Sequence, residues 1–366
     1  MNGTLLITGA TGALGPALVR EIVRTGQFER VVALVRPAGA AEKIAALRLA
    51  LEPAAAGSSL VFVEGSLGSD GAWPDLPAPA CILHAAADTR FRAPLAELSA
   101  TNLEGTRQLL AWAGQLPHPP RFIHFSTTCA AGRRTGLVGE APLTDDAGFV
   151  NDYERTKWQA EQLVLSSPLP TEIVRLATVV GRETDGRLHR PGAFHTTLRW
   201  FYRGLLPMVP GDAGTCIDLI STELVTGFIT RLLARPARSR GIYHLSNGDR
   251  APRLEAVIEL AAEKFSARSP AWRTGQILPP VLAARPVFED FRVSVLKSRD
   301  ALFTQVLESV DSFLPELFYP KTFATAAAAA VWGGELPLPP WPDFLARVLD
   351  SALDTDFGRQ KAPLSP

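Results

Sequence analysis

Cysteine is scarce in this sequence, with 3 cysteines among 366 residues. Cys81, Cys129 and Cys216 are far apart and show no CxxC or Cys/His spacing, so we expect no disulfide framework and no metal site. Free cysteines of this kind are typical of a reducing compartment. Cys129 lies beside a motif described below, where a nucleophile is one interpretation and a small buried side chain is the favoured one.

Neither sign of charge predominates, because 37 Lys and Arg residues balance 37 Asp and Glu residues. Nucleic-acid-binding and membrane-surface proteins usually carry an excess of basic residues, so both classes are disfavoured. No apolar run approaches the ~20 residues that a membrane helix needs. The first predicted strand starts at Thr4, and we expect no signal peptide. The sequence therefore predicts a cytoplasmic protein with no membrane span and no nucleic-acid partner.

Short apolar, β-branched runs alternate with helical patterns in the first half of the chain. Apolar strands separated by helices predict a parallel sheet covered on both faces, which is the α/β doubly wound class. The predicted strands are 4–8, 31–35, 60–64, 80–84, 121–126 and 172–176. The predicted helices between them are 14–25, 41–51, 102–115 and 153–165.

A glycine-rich segment, TGATGALG at 8–15, joins the first strand to the first helix. Gly9 permits a tight turn, Gly12 lets the backbone approach a pyrophosphate, and Gly15 allows close helix–strand packing. The amino terminus of the helix adds partial positive charge. The strand–loop–helix context favours a Rossmann-type dinucleotide loop over an ordinary glycine turn. Its other predicted cofactor contacts are Thr11, Ala13 and Leu14.

Arg36 ends the second strand, where a site that prefers NAD usually carries Asp or Glu. Its permanently charged guanidinium suits a 2′-phosphate, so the sequence favours NADPH as the cofactor. The alternative interpretation of Arg36 is a solvated surface residue with no role in binding. The ends of the third and fourth strands complete the predicted cofactor site. These contacts are Ser66, Leu67, Ala85, Ala86 and Ala87.

Tyr153 and Lys157 are four residues apart at the start of a helical pattern, which places both on one helix face. A nearby ammonium is expected to lower the pKa of the phenol, ordinarily about 10. The tyrosine then exchanges a proton with a carbonyl oxygen while a nicotinamide exchanges hydride. Both residues are also expected to contact the cofactor. Upstream, a hydroxyl after the fifth strand is expected beside the tyrosine.

The chain changes texture after residue 181. We predict that residues 1–181 form the NADP(H)-binding Rossmann domain, and that the strands 217–220 and 241–246 within 215–246 return to its sheet. Residues 182–214 and 247–366 are predicted to form a smaller, mostly helical C-terminal substrate-binding lobe. The pattern of 195–203 fits a pocket for an acyl or aromatic group, with Arg199 or Arg203 meeting phosphates, and fits an ordinary core helix equally well.

The ordered set TGATGALG, HAAA, NLEGT, STT and YERTK resembles the extended short-chain dehydrogenase/reductase superfamily over about the first 250 residues. The resemblance implies a catalytic set of Thr127, Tyr153 and Lys157, with Thr128 as the neighbouring alternative to Thr127. It also implies that Asn102 supports a proton-relay water.

Three further stretches resemble the thioester reductase and fatty acyl-CoA reductase branch: NDYERTKWQAEQL at 151–163, GLLPMVPGD at 204–212 and FYPKTF at 318–323. Members reduce an acyl thioester on coenzyme A or a phosphopantetheine carrier to the aldehyde or alcohol. The resemblance implies that Tyr153 and Thr127 stabilise the oxyanion, and that the substrate is a small-molecule or carrier-bound acyl thioester. An acyl carrier protein is then a candidate partner. Ser66 departs from the family, which usually has Asp there.

Two rival functions stay open on the sequence. One is an NADPH-dependent carbonyl reductase or alcohol dehydrogenase of the same superfamily, acting on a ketone or aldehyde, which needs the same catalytic residues. The other is a non-catalytic NADP(H)-binding sensor, because a fold alone does not prove chemistry.

Overall fold

The computed structural model describes residues 3–51, 58–67, 76–237, 240–311 and 313–359. The strands are β1 (Thr4–Thr8), β2 (Arg30–Val35), β3 (Ser59–Glu64), β4 (Cys81–His84), β5 (Arg121–Thr127), β6 (Gly136–Val138), β7 (Thr171–Leu176), β8 (Thr178–Gly181), β9 (Met208–Pro210), β10 (Leu219–Ser221), β11 (Arg240–Leu245), β12 (Val281–Ala283) and β13 (Lys321–Phe323). The helices are α1 (Gly15–Thr25), α2 (Ala40–Leu51), α3 (Leu95–Leu98), α4 (Gly105–Gly114), α5 (Asp152–Ser166), α6 (Ala193–Tyr202), α7 (Thr222–Leu233), α8 (Leu254–Arg268), α9 (Pro270–Arg273), α10 (Arg285–Ser298), α11 (Ala301–Val310), α12 (Ala326–Trp332) and α13 (Trp341–Asp354).

Within these residues, seven parallel strands form the main sheet in the order β11–β7–β5–β4–β1–β2–β3. The chain winds outward from β1 toward β3 on one side, and then from β4 toward β11 on the other. The direction reverses between β1 and β4, and ligands of such sheets bind at the carboxyl ends of the strands near this point. The predicted α/β, doubly wound class is confirmed.

Both faces of the sheet are covered because successive strand residues point to opposite sides. Leu5 and Ile7 of β1 pack in one apolar cluster with Leu18 of α1. Leu6, which lies between them, packs in another cluster with Leu109 of α4. β1 is thereby packed between two helical layers.

A buried ion pair fixes α5 against the sheet. Arg175 of β7 donates from Nε to Glu161 Oε1 at 2.9 Å and from Nη2 to Oε2 at 2.8 Å. Both side chains are almost fully buried. This two-point contact restricts rotation of the helix that begins with Asp152–Tyr153, because a guanidinium and a carboxylate pair in one plane.

Part of the second half of the chain forms a separate apolar cluster, to which α6, α8 and α13 contribute Phe201, Phe265 and Val348. The prediction that 217–220 returns to the main sheet is wrong. β10 pairs with β8 in a two-stranded sheet, because β11 fills the place beside β7 in register from Arg240 to Leu245.

The proposed division of the chain at residue 181 stays a prediction, and its ends at residues 1–2 and 360–366 lie outside the described residues. In the part of the chain that the structure describes, no helix combines the length and the apolar character needed to cross a bilayer.

Candidate active site

The glycine loop fits tightly against the end of β4. Gly9 has φ +77°, and a Cβ there would lie 2.6 Å from the carbonyl carbon of Ala85 and 2.7 Å from the amide nitrogen of Ala86. A Cβ on Gly15 would lie 2.1 Å from the carbonyl oxygen of Ala10. Both positions therefore require glycine, which brings the predicted β1 loop and the predicted small residues of β4 together.

The same loop meets the requirements of a pyrophosphate cradle. A Cβ on Gly12 would come near only the carbonyl oxygen of Gly9, at 3.1 Å, so space is open around it. Leu14 precedes α1 and gives no side-chain cap to the first turn, and Ala13 is exposed. The uncapped amides and the positive end of the helix dipole suit phosphate oxygens. The residues present thus fit a dinucleotide.

Two predicted contacts lie at the next strand ends along the same edge. Arg36 is exposed directly after β2, and the amide of Gly65 donates to the carbonyl oxygen of Val35 at 3.0 Å, which places Ser66 beside it. The Arg36 charge also reaches Asp88 beyond β4. The pKa of that carboxyl is lowered mainly by its hydrogen bonds with Arg90, and further by Arg36.

Tyr153 lies in the first turn of α5, where its side chain interacts with that of Thr127. Thr127 ends β5, and its Oγ1 also accepts from the amide of Cys129 at 3.2 Å. Thr128 turns away, because its hydroxyl donates to the carbonyl oxygen of Leu176 at 3.4 Å. Of the two predicted threonines, the structure therefore brings Thr127 to the tyrosine.

Lys157 lies on the same helix as predicted, but its ammonium points into β5. Its Nζ donates to the carbonyl oxygen of Phe125 at 2.7 Å and lies 3.4 Å from His124 Nε2. Burial lowers the pKa of Lys157 to about 8, and Glu161 opposes that change. The positive charge of Lys157 is therefore lost at a lower pH than that of an exposed lysine.

Burial raises the pKa of Tyr153 above its ordinary value, although the hydrogen bond with Thr127 acts in the opposite direction. The expectation that Lys157 lowers this pKa is wrong for the structure described. The cause is non-local: Phe91, from the loop after β4, packs edge-on against the tyrosine ring at 4.8 Å between centroids. The tyrosine is therefore a protonated donor at neutral pH.

Asn102 is buried in a π-helical turn, Ser99–Glu104, that leads into α4. Its Oδ1 accepts from the amide of Asp88 at 2.7 Å, and its Nδ2 donates to the Asp88 carbonyl oxygen at 3.0 Å and to Thr156 Oγ1 at 3.2 Å. Asn102 thus ties the loop after β4 to the helix of Tyr153 and Lys157.

Two buried histidines lie beneath this edge. His84 Nδ1 is 2.7 Å from Thr8 Oγ1, and its Nε2 is 3.0 Å from Thr106 Oγ1. Burial lowers the pKa of His84 to about 3, so it is a neutral, fully bonded side chain. Sequence reasoning missed His124, whose only signal was its position two residues before Ser126 on a strand that ends at the site.

A second group missed by sequence reasoning joins the start of α5 to β13. Glu154 accepts from the amide of Val150 at 2.8 Å, and its carboxyl interacts with that of Glu316. Burial, and then the charge of Glu316, raise the pKa of Glu154. Lys321 forms an ion pair with Glu316. Cys129 itself is half-buried, and burial of its thiol raises the thiol's pKa to about 12, which disfavours a nucleophile.

Comparison with known proteins gives a family match over residues 7–229, to an NAD-binding model described as male sterility protein. Isonitrile lipopeptide synthase of Streptomyces coeruleorubidus is 29% identical over 248 residues, which is 60% of this chain and 16% of that protein. A 4-hydroxy-2-methyl-3-oxo-4-farnesyl-3,4-dihydroquinoline-1-oxide ketoreductase of Stigmatella aurantiaca is 34% identical over 182 residues, which is 48% of this chain and 50% of that protein.

Among solved structures, the terminal R domain from the myxalamid PKS-NRPS biosynthetic pathway aligns with a TM-score of 0.74 and 23% identity, over 98% of this chain and 92% of that one. At this identity the likeness shows the fold. The chain spans only a small part of the large synthase and half of the ketoreductase that it matches.

Proposed function

The chain belongs to the NAD-binding family described as male sterility protein, in the thioester reductase branch of the extended short-chain dehydrogenase/reductases, and we propose that it uses NADPH to reduce an acyl thioester to the aldehyde or alcohol. The resemblance inferred from the motifs, and an oxidoreductase of this type, are thereby confirmed. The thioester, the choice of NADPH and the residue roles below are the proposal.

The observation that carries the proposal is the pair of hydroxyls of Thr127 and Tyr153 at the carboxyl edge of the sheet. Two donors that converge on one point suit a carbonyl oxygen that gains negative charge during reduction. The glycine loop lies at the same edge, beside the neighbouring strand. The site therefore combines a place for a dinucleotide with a place for a carbonyl.

Each residue of the site has a defined task. Tyr153 donates the proton to the carbonyl oxygen, because burial keeps its phenol protonated. Thr127 donates a second hydrogen bond to the same oxygen. Lys157 carries positive charge close to the site below its pKa of about 8, and Asn102 holds the loop after β4 against the catalytic helix. A bound nicotinamide would supply the hydride.

Arg36 supports NADPH over NADH as the cofactor. It is an exposed guanidinium directly after β2, where the adenosine ribose of a dinucleotide lies in this fold. A planar fork of donors binds a phosphate at two points. Ser66, at the neighbouring strand end, adds no negative charge that would repel the phosphate.

The proposed substrate is a thioester on coenzyme A or on a carrier protein. The relative from Streptomyces is a lipopeptide synthase, which supports a carrier-bound acyl group, and the fatty acyl-CoA reductase of Drosophila melanogaster in the same comparison supports coenzyme A. The test is to follow NADPH absorbance and free thiol together with a panel of acyl-coenzyme A thioesters. Thiol that appears in step with NADPH loss, and is absent in Tyr153→Phe, supports the proposal.

Carbonyl reduction is a second candidate, because the Stigmatella relative is a ketoreductase. The same catalytic set serves a ketone, and only the fate of sulfur separates the two reactions. NADPH loss with a ketone panel, and no thiol from any thioester, would move the assignment to carbonyl reduction.

A further inference from the structure

The ammonium of Lys157 is held by a single strand. A lysine ammonium has three N–H donors and no acceptor. One donor goes to the carbonyl oxygen of Phe125 at 2.7 Å, and Nε2 of His124 lies 3.4 Å from the same Nζ. Phe125 and His124 are neighbours on β5, so this strand supplies a backbone acceptor and a side-chain acceptor. One donor of the ammonium is left for the catalytic site.

The His124 ring can only accept in this contact. Because the ammonium has no lone pair, Nε2 has to be the unprotonated nitrogen, and the ring hydrogen is then on Nδ1. Burial lowers the pKa of His124 well below its ordinary value, and the charges of Lys157 and His84 lower it further. The centroids of the two imidazole rings are 5.3 Å apart. His124 is therefore neutral throughout the range in which Lys157 titrates.

The same ring contributes little to the packing of the fold. His124 and Ser126 are buried on one face of β5, and neither His124 Nδ1 nor Ser126 Oγ has a hydrogen-bond partner among the described residues. A buried polar atom without a partner in the protein costs stability. Phe122, two residues earlier on that face, is apolar and packs with Leu109 and Val164. An apolar side chain in place of His124 would suit this face at least as well, so packing does not explain the histidine.

The titratable and charged groups around Lys157 come from α5, β5, β4 and β7, and they are Tyr153, Glu161, His124, His84 and Arg175. The charge of Glu161 favours the ammonium, but both of its carboxylate oxygens already accept from Arg175. His84 is neutral, and its two ring nitrogens lie within hydrogen-bond distance of threonine hydroxyls. Of these side chains, His124 is the one that contacts the ammonium at hydrogen-bond distance.

We propose that His124 is a positioning residue of the reduction: its neutral ring accepts a hydrogen bond from the Lys157 ammonium and holds that charge against β5, on the side of α5 that carries Tyr153. The proposal rests on the reduction proposed above and adds a residue that acts through Lys157. The lysine stem is flexible, so without this contact the ammonium would sample other positions. A hydrogen bond to the charged form also favours that form, so its loss makes Lys157 release its proton at lower pH.

Three substitutions separate the acceptor from the shape of the ring. His124→Leu removes the acceptor and keeps an apolar side chain, whereas His124→Gln keeps a neutral oxygen that can accept at about the place of Nε2. His124→Asn has a shorter amide that does not reach the ammonium, and it replaces His124→Leu if that variant fails to fold. Ser126→Ala is the matched control, because it removes a buried polar group of the same strand face that has no hydrogen bond to Lys157.

The first measurement follows Lys157 itself, in the protein without substrate, so that the result does not depend on the reaction. The chain has six lysines. Carbon-13 at their Cε atoms gives one NMR signal for each lysine, and Lys157→Arg identifies the signal of Lys157. Its titration midpoint is expected near pH 8 in the original protein. The midpoint should be similar in Ser126→Ala and His124→Gln, and roughly one unit lower in His124→Leu. A midpoint that His124→Leu leaves unmoved would overturn the proposal.

Kinetics and stability then separate positioning from a structural role. The alkaline fall of kcat/KM is expected to move to lower pH in His124→Leu and to return in His124→Gln, while the melting temperature of His124→Leu is no lower than that of the original protein. A lower melting temperature with an unmoved pH profile would mean that His124 serves packing, and the proposal would be wrong. If the NMR midpoint moves as expected but the original protein reduces no thioester and no ketone, the proposed reduction fails and the contact of His124 with Lys157 stands.

Discussion

The side chains of Thr127 and Tyr153 interact with each other where β5 meets the start of α5. Thr127 is the last residue of its strand, in extended conformation, and the chain turns at Thr128. One threonine therefore faces the tyrosine while the next faces the Leu176 carbonyl oxygen.

This difference predicts unequal effects of two similar substitutions. Thr127→Val removes a donor to the reacting oxygen, and kcat is expected to fall by about 10²–10³. Thr128→Val removes a weak bond to a backbone carbonyl, and kcat is expected to change by less than about threefold, with some loss of stability. Steady-state kinetics on both variants check this. Equal losses in the two would refute the role assigned to Thr127.

Lys157 predicts a pH dependence with a definite sign. Its pKa is lowered by burial to about 8, so its positive charge is present below that pH and is lost as the pH rises through it. Because Tyr153 stays protonated over this range, kcat/KM is expected to fall above about pH 8. A pH–rate profile measures this fall.

The control for that profile is Lys157→Arg, whose charge does not titrate in this range. The fall near pH 8 should disappear, even if the variant is slower overall. The same fall in both proteins would assign the titration to another group.

Substitutions at two glycines of the loop are expected to have different effects, one on stability and the other on cofactor binding. Gly9→Ala places a Cβ 2.6 Å from the Ala85 backbone at φ +77°, and a loss of more than about 2 kcal/mol of unfolding free energy is expected. Gly12→Ala meets only the Gly9 carbonyl oxygen, at 3.1 Å. It is expected to retain most of the stability but to bind NADPH at least tenfold more weakly.

Denaturant unfolding and a cofactor titration, made on both glycine variants, check this pair. If Gly12→Ala binds NADPH as tightly as the original protein, the pyrophosphate does not lie at this loop.

Arg36 predicts the cofactor preference. Arg36→Ala removes a charged partner of the 2′-phosphate, a contact typically worth about 1.5–3 kcal/mol, so the Kd of NADPH is expected to rise about 10- to 100-fold. The Kd of NADH should change little, because NADH has no such phosphate. Arg36→Lys keeps the charge, and its Kd for NADPH should lie between that of the original protein and that of Arg36→Ala. An equal loss of affinity for NADPH and NADH would mean that Arg36 supports the structure of the site and does not bind the 2′-phosphate.

The parts of the site that local sequence determines could be predicted. The spacing of Gly9, Gly12 and Gly15 and the four-residue step from Tyr153 to Lys157 depend on one turn and one helix. The predicted strands along the main sheet agree with the observed ones to within about one residue at most ends. Periodicity and turn chemistry suffice for these features.

The rest depends on contacts between residues far apart in the chain. The raised pKa of Tyr153 follows from its burial, to which Phe91 contributes from 62 positions earlier in the sequence. Packing of the second half against the first likewise decides the pairing of Glu154 with Glu316 and the pairing of β10 with β8. The choice between Thr127 and Thr128 was local but depended on a backbone turn that the letters STT do not specify.

The most direct test of the proposed reaction is to supply NADPH deuterated at both C4 positions with an acyl-coenzyme A thioester, and to analyse the product by mass spectrometry. Thioester reduction predicts free coenzyme A together with an aldehyde that has gained one deuterium at the former carbonyl carbon, or an alcohol that has gained two, with neither product formed by Tyr153→Phe. Free coenzyme A accompanied by the unlabelled carboxylic acid would show hydrolysis and contradict thioester reduction.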